Sequence, residues 1–505
     1  MSYPVSQGRM RLSAFSALSA AMALGLLGAG AAQAQAIVAN FAGLSLIDTN
    51  PLNGGNYAPP DSNGAIGINN FVEFINGGYA VYNRSGVLQA PAISDSSFWL
   101  NAGISSTLVN QGLSDTRVKF DPLSQRWFAT EITIGTQTST TAFNNSVLLA
   151  VSKTSDPLAG WNSTSFNVAG TTRFNDYPTL SIDANAVYVG SNDFNPAGNA
   201  FIGATLSSIP KASLLAATPT TAGISTFLQN TASPTMGFTP QVSTNYGTGY
   251  SGTKIVSISA TAFNQIQVTP ISGTANAGAT LGAAQTVNIA FDGNPTLVRQ
   301  PNGSRVVDGL DDRFSGTIYQ VGNKIYAANA INNGNQGGGT APGSNAVHWM
   351  VIDATTNAVL QEGLITDGAR DLWQPSIAAN ANGDVVIGYN KAGVDLNISS
   401  FAAVGHTVAG VLSFSSQVLL KTSPVNNYTD GFGAATSRWG DYSATMVDPT
   451  DPNVFWTIQE VAVNATKWGT QISAINVAVP EPQTYALMLA GLVAVGFMAR
   501  RRASV

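Results

Sequence analysis

The chain contains no cysteine. It therefore has neither disulfide staples nor a thiol nucleophile, and its stability must come from burial. Histidine is nearly as scarce. His348 and His406 are the only two, neither stands in a metal-ligating spacing, and a Ser-His-Asp triad would have to use one of them. Charged residues make up 10% of the chain, and the 8 lysines are scattered along it. Phosphate backbones are gripped by clustered basic surfaces, so nucleic acid is excluded as a partner. The Gly-rich stretch from Asn332 to Gly343 lacks the Lys-Ser/Thr ending of a phosphate-binding loop and reads as a flexible connection. What the chain does have is 51 glycines, with Asn, Ser and Thr in plenty. That is the composition of a turn-rich extracellular β protein rather than of a helical enzyme.

The two ends read as addresses. Arg9 and Arg11 form a basic n-region, Leu12 to Gly30 is apolar and small, and Ala32-Gln33-Ala34 is a cleavage site, with Ala34-Gln35-Ala36 as a near alternative. These features predict a signal peptide over residues 1–34, cut after Ala34 by signal peptidase, and a mature start at Gln35. At the other end Val479-Pro480-Glu481-Pro482 is followed by an apolar run from Tyr485 to Ala499 and by Arg500, Arg501 and Arg502. A rigid Pro-flanked element, an apolar helix and a cationic stop thus occur in order. The run is at the short end of what crosses a bilayer, where about 17 to 25 residues are usual.

This tail resembles the PEP-CTERM sorting signal of Gram-negative bacteria. The resemblance implies that residues 478–505 hold a transmembrane helix that anchors the chain transiently in the inner membrane. It also implies that exosortase, a membrane peptidase, recognises Pro480, Glu481 and Pro482 and removes the tail, commonly in organisms that make extracellular polysaccharide. An ordinary C-terminal membrane anchor is the alternative. Without the charged residues of the two signals, 17 basic and 26 acidic residues remain, a net charge of −9.

Between the signals, residues 35–477 repeat one unit: a short strand, a turn, and a second, more apolar strand ending on a polar residue. Seven such hairpins begin near Ala65, Arg117, Pro178, Pro240, Gly316, Pro375 and Tyr442. Their turns carry Asn-Gly, Asp-Pro, Asp-Ala-Asn or Gly-Asn, the residues a tight reversal needs. The repeat distance, roughly 55 to 70 residues, suits a four-stranded sheet with its loops and predicts an all-β, seven-bladed β-propeller. The unit near Pro240 is the weakest match, and six or eight blades are the alternatives. A two-sheet sandwich would not repeat one hairpin at even intervals.

In a propeller the start of the first strand and the end of the second share one rim. Arg117, Arg173, Arg313, Arg370 and Arg438 stand at or just before first strands, accompanied by Asp115, Asp176, Asp311, Asp312, Asp371 and Asp441. Second strands end at Glu131, Asn192, Asn329, Asn390 and Glu460. Two roles fit such a ring. Arg-Asp pairs can fasten blades to one another. Alternatively the ring is a carbohydrate pocket, in which arginines hold carboxylate or sulfate groups, Asn and Asp read hydroxyls, and Tyr177, Trp373, Trp439 and Tyr442 offer faces to sugar rings.

The repeated hairpin with Arg-bearing first strands resembles the propellers of the sialidase superfamily. That resemblance implies an arginine cluster, a Tyr nucleophile assisted by Glu, and an Asp acid/base, although the Asp-box Ser-x-Asp-x-Gly-x-x-Trp is absent from every turn. For glycoside hydrolysis in general, two carboxylates are needed, and Glu131 and Glu460 are the candidates. The turns Asp448–Asn453 and Asp193–Asn199 could offer oxygens to Ca²⁺, but neither has the EF-hand pattern, and no other cofactor or metal is expected. Taken together, the sequence predicts an exported cell-surface or matrix propeller that binds or scaffolds extracellular polysaccharide without catalysis. A sialidase-like or other glycan-cleaving enzyme is the alternative.

Overall fold

Each of the seven predicted hairpins folds as the inner pair of strands of one sheet, and the seven sheets form a seven-bladed propeller. The computed structural model describes residues 36–139, 142–167, 172–231, 235–247, 252–334 and 344–477. The signal peptide with Ala34 lies outside these residues. So do the tail with Pro480, Glu481, Pro482, Arg500, Arg501, Arg502 and its expected helix, and most of the Gly-rich stretch. Residues Ile37–Asn476 make one compact unit.

Blade 1 is the shortest, with Gly64–Ile66, Asn70–Ile75 and Gly78–Asn83. Blade 2 runs Leu113–Asp121, Arg126–Thr133, Val147–Ser152 and Trp161–Phe166, and blade 3 runs Phe174–Ile182, Ala186–Phe194, Phe201–Pro210 and Ser225–Leu228. Blade 4 is built on Phe238–Val242, Lys254–Ile258 and Gln265–Ser272. Blade 5 consists of Tyr319–Val321, Lys324–Asn332, Asn345–Asp353 and Val359–Ile365, and blade 6 of Asp371–Ala379, Asp384–Gly393, Leu396–Val408 and Val411–Thr422. Blade 7 takes Ala444–Val447, Val454–Asn464 and Lys467–Asn476 from the end of the chain and its outer strand, Ala36–Ser45, from the beginning. The first residues of the propeller thus close the ring.

The hairpin turns form where the sequence places Asp or Asn, because these side chains accept hydrogen bonds from the backbone they reverse. Asp121 Oδ1 takes the Leu123 N–H, Asp183 Oδ1 takes those of Asn185 and Ala186, and Asn380 Oδ1 takes those of Asn382 and Asp384. Apolar residues alternate onto the sheet faces and bury themselves between neighbouring blades. One cluster joins Val72, Phe74 and Val81 of blade 1 to Val118, Trp127 and Leu148 of blade 2. Others join blades 2 and 3, 3 and 4, 4 and 5, and 5 and 6 in the same manner. The helix Asp95–Ala102, N-capped by the Ser94 hydroxyl, adds Phe98 and Trp99 to the first of these cores.

A second repeat sits at the axis. The inner strands of blades 2, 3, 4 and 6 break register between Ser114 and Arg117, Asp176 and Thr179, Phe238 and Gln241, and Trp373 and Ser376. Each break holds a residue of positive φ: Asp115 at 67°, Tyr177 at 56°, Thr239 at 55° and Gln374 at 51°. These are β-bulges, which turn a carbonyl out of the ladder. Side chains two residues on from a bulge use those carbonyls to hold the next blade. Arg117 Nε donates to Pro178 O at 3.1 Å and Thr179 Oγ1 to Pro240 O at 2.9 Å. Gln241 Nε2 likewise donates to Gly316 O of the blade 5 segment at 2.9 Å.

Candidate functional site at the upper mouth of the channel

First strands start, and second strands end, on the face we term upper. The bulges above carry Arg117 and Tyr177 onto the axis, where they meet Arg313 and Tyr442. The Arg117 guanidinium carbon lies 3.3 Å from the Tyr442 ring centroid and 5.1 Å from that of Tyr177, and the Arg313 guanidinium covers the same Tyr177 ring at 4.3 Å. The two tyrosine rings meet edge to face, 5.6 Å apart. Their hydroxyls donate across the axis, Tyr177 to Asp441 O at 3.0 Å and Tyr442 to Thr116 O at 2.8 Å. Arg117 also reaches Ser315 O at 3.2 Å, and among the described residues it forms no ion pair.

Four carboxylates surround this plug. Asp61 accepts from the Asp441 N–H at 2.6 Å and from Asn76 Nδ2 at 3.0 Å, and Asp115 accepts from the Tyr177 N–H at 3.0 Å. Burial, then the nearby charges of Asp441 and Asp115, hold Asp61 well above the ordinary carboxylate range. Burial followed by Asp441 raises Asp115 as well. Asp176 is raised to about 7 by burial, then by Asp115 and Asp441, against the opposing pull of Arg313. Solvent reaches the outer members: the side chains of Asp441 and Arg438 are 16% and 45% exposed, and those of Arg313 and Asp311 are 12% and 31% exposed. Arg438 pairs with Asp441 at 2.5 Å, and Arg313 forks onto Asp311 with two bonds of 2.6 Å.

The structure therefore gathers Arg117, Asp176, Tyr177, Arg313, Arg438 and Asp441 at the axis, and leaves other members of the expected ring elsewhere. Arg173 lies over the outer strands of blade 3, bonded to Asp193 at 2.7 Å and to Gln229 O at 2.8 Å. Arg370 pairs within blade 6, with Asp367 at 2.9 Å and Asp395 at 2.8 Å. Trp373 and Trp439 are buried, 0% and 1% exposed, with ring centroids 5.9 Å apart, and Trp439 Nε1 donates to Asn390. Tyr177 and Tyr442 are equally buried, so none of the four aromatics has a face open to solvent.

Glu131 and Glu460 are likewise fully buried, in blades 2 and 7 with blade 1 between them. Glu131 accepts from Trp99 Nε1, and Glu460 from the Gly440 N–H at 2.6 Å. Burial holds both well above the usual carboxylate range. Asp448 and Asp193, in the two turns considered for Ca²⁺, are engaged by Arg84 and Arg173, and among the described residues no group of three metal-ligating side chains assembles. Three ion pairs bind one blade to another through basic residues that the sequence did not single out: Arg84 with Asp448, Lys211 with Asp121, and Arg299 with Asp371. Asp61 also escaped notice, although it stands just ahead of the first strand of its blade, as Asp441 does.

Residues 478–502 match the PEP-CTERM protein-sorting motif. No curated protein matches the chain. Among solved structures it is similar to an α-L-arabinanase of Penicillium chrysogenum, at 8% identity over 88% of this chain and 100% of that one, with a TM-score of 0.40. An α-L-arabinofuranosidase of Fusarium graminearum gives 9% identity over 86% and 97% of the two chains, with a TM-score of 0.40. A sialidase of Trypanosoma rangeli gives 10% identity over 72% and 55%, with a TM-score of 0.32.

Proposed function

We propose that this chain is an exported propeller of the cell surface or extracellular matrix that binds extracellular polysaccharide at the upper mouth without cleaving it. The observation that carries this reading is the solvent-reaching rim of Asp176, Arg313, Arg438 and Asp441 above the stacked arginines and tyrosines. Such a rim offers donors and acceptors to sugar hydroxyls and cations to acidic sugars. Delivery would follow the two address signals. Signal peptidase cuts after Ala34, the apolar tail holds the chain briefly in the inner membrane of a Gram-negative cell, and exosortase releases it at Pro480-Glu481-Pro482.

The elevated titration of Asp176 next to Asp441 favours one second reading, glycoside hydrolysis with Asp176 as the acid. One experiment separates the two. Residues 36–477 are incubated with the host's extracellular polysaccharide and a panel of sialosides, and both retained protein and soluble products are measured. Retention without new oligosaccharides, weakened about tenfold by Arg438→Ala or Asp176→Asn at unchanged melting temperature, is the expected result. Oligosaccharide products that vanish with Asp176→Asn would replace binding by catalysis.

A further inference from the structure

The lower end of the channel is chemically unlike the upper. Beneath the plug, the lower halves of the inner strands enclose a cavity of about 420 Å³. Its wall is mainly apolar, with Ile66, Phe120, Tyr319, Val321 and Met446 among its lining, and exposed residues such as Gly247, Gly322 and Pro449 surround its mouth. Volumes of roughly 300 to 1,000 Å³ with a few converging polar groups are typical of small-molecule sites.

Two polar residues of its lining stand out. Lys119 follows Arg117 by two residues, so the period of the strand turns it to the same axial side. It is 8% exposed, donates to Thr317 Oγ1, and lies 5.5 Å from the Tyr319 ring centroid. Among the described residues it has no carboxylate partner. The one other charged residue lining the cavity is Asp448, and its carboxylate is taken by Arg84, Trp456 and Thr450. Thr244 also lines the cavity, and its buried hydroxyl has no hydrogen-bond partner. A buried ammonium without a counter-ion and a buried hydroxyl without a partner are both costly.

We propose that this cavity binds a monocarboxylate with an apolar chain, the carboxylate held by the Lys119 ammonium and the chain lying against Phe120, Val321 and Met446. One cation matches a single negative charge, whereas a phosphate dianion would need a second, and a mainly apolar wall favours a hydrocarbon chain over a sugar. Without ligand, burial and then the charge of Arg117 lower the Lys119 amine to about 7. The charged and titratable groups around it are Arg117 on its own strand, Tyr319 and Tyr246, which also line the cavity, and the paired Asp448. A carboxylate beside the amine would favour its charged form, so binding above neutrality must take up a proton, and affinity must fall as the pH rises further.

The test is calorimetric titration of residues 36–477, which include all seven blades and the closing strand, with octanoate, 1-octanol and octylamine. Octanoate is expected to bind at least about tenfold more tightly than the alcohol or the amine. At pH 8 its heat should differ between buffers of different ionisation enthalpy, which reports the proton taken up. Lys119→Met should abolish this preference and the buffer dependence while the protein stays folded. Equal affinity for octanol, or octanoate affinity unaltered in Lys119→Met, would overturn the proposal. So would reductive trapping of octanal on Lys119 in a protein that ignores octanoate, because the site would then be an imine-forming one.

Discussion

The guanidinium of Arg117 stacks on the ring of Tyr442 at 3.3 Å, and the Tyr442 hydroxyl donates to the carbonyl of Thr116, the residue before that arginine. Two blades that are not neighbours, 2 and 7, are joined in this way across the channel. Tyr442→Phe removes the hydrogen bond alone and is expected to cost about 1 kcal/mol. Tyr442→Leu also removes the ring beneath a desolvated cation and should cost roughly 2 kcal/mol more. Arg117→Lys should not preserve stability, since an ammonium cannot donate to Pro178 and Ser315 while lying flat on the ring. Urea midpoints of the three variants check this order, and equal midpoints would show that the stack holds nothing.

Stability should decline as pH rises from acid to neutral. Glu73 is fully buried, accepting from the Leu44 N–H, Tyr82 and Thr470, and burial raises it to about 7 despite those three donors. A carboxyl raised in the folded state binds its proton more tightly there than in the unfolded chain. Its stabilisation is therefore complete below the unfolded value near 4.5 and is lost by about pH 7. For this one group the loss is at most about 3 kcal/mol. Glu73→Gln should flatten the fall in melting temperature between pH 5 and pH 7.5, whereas an unchanged slope would assign the effect to other groups.

Closure by the first strand makes a prediction about the ends. A chain that begins at Leu46 lacks Ala36–Ser45, exposes the edge of Lys467–Asn476, and loses the Leu44 donor to Glu73. An open, partly apolar edge is a template for pairing with other chains. The shortened chain should melt roughly 10 °C or more below the complete propeller and should self-associate in size-exclusion chromatography. A monomer of unaltered melting temperature would mean that the seventh blade does not need its fourth strand.

The bulge at Gln374 can be tested by shape alone. Its φ of 51° lies in the region that β-branched residues avoid. Gln374→Val should cost about 1 to 3 kcal/mol, and Gln374→Gly should be close to neutral, because glycine accepts that geometry freely. The carbonyl that receives the Ser443 hydroxyl is present in both. Equal loss in the two variants would point to the Gln374 side chain rather than to the bulge.

Much of this architecture was legible because it is local. The hairpins announce themselves through Asp121, Asp183, Asn380 and Asp448, which close their own turns, and the ion pairs of Arg313 and Arg370 join residues close along the chain. Blade 4 was faint because its first two strands are separated by a long connection, from Val242 to Lys254. Arg84 and Asp448 are 364 residues apart and meet because the ring closes, which no local pattern records. Burial of Trp373, Trp439 and Tyr442 was illegible for a related reason. An aromatic at a strand start reads the same whether it faces solvent or the next blade, and the neighbouring sheet decides. The bulges left a partial trace: Tyr177, Thr239 and Gln374 each precede proline, which holds the residue before it out of the helical region.

The stacked arginines and tyrosines lie across the axis between two ends of unlike chemistry, a rim rich in carboxylates above and a mainly apolar cavity with one lysine below. If both proposals hold, one ring of blades would carry two unlike sites at opposite ends of its axis.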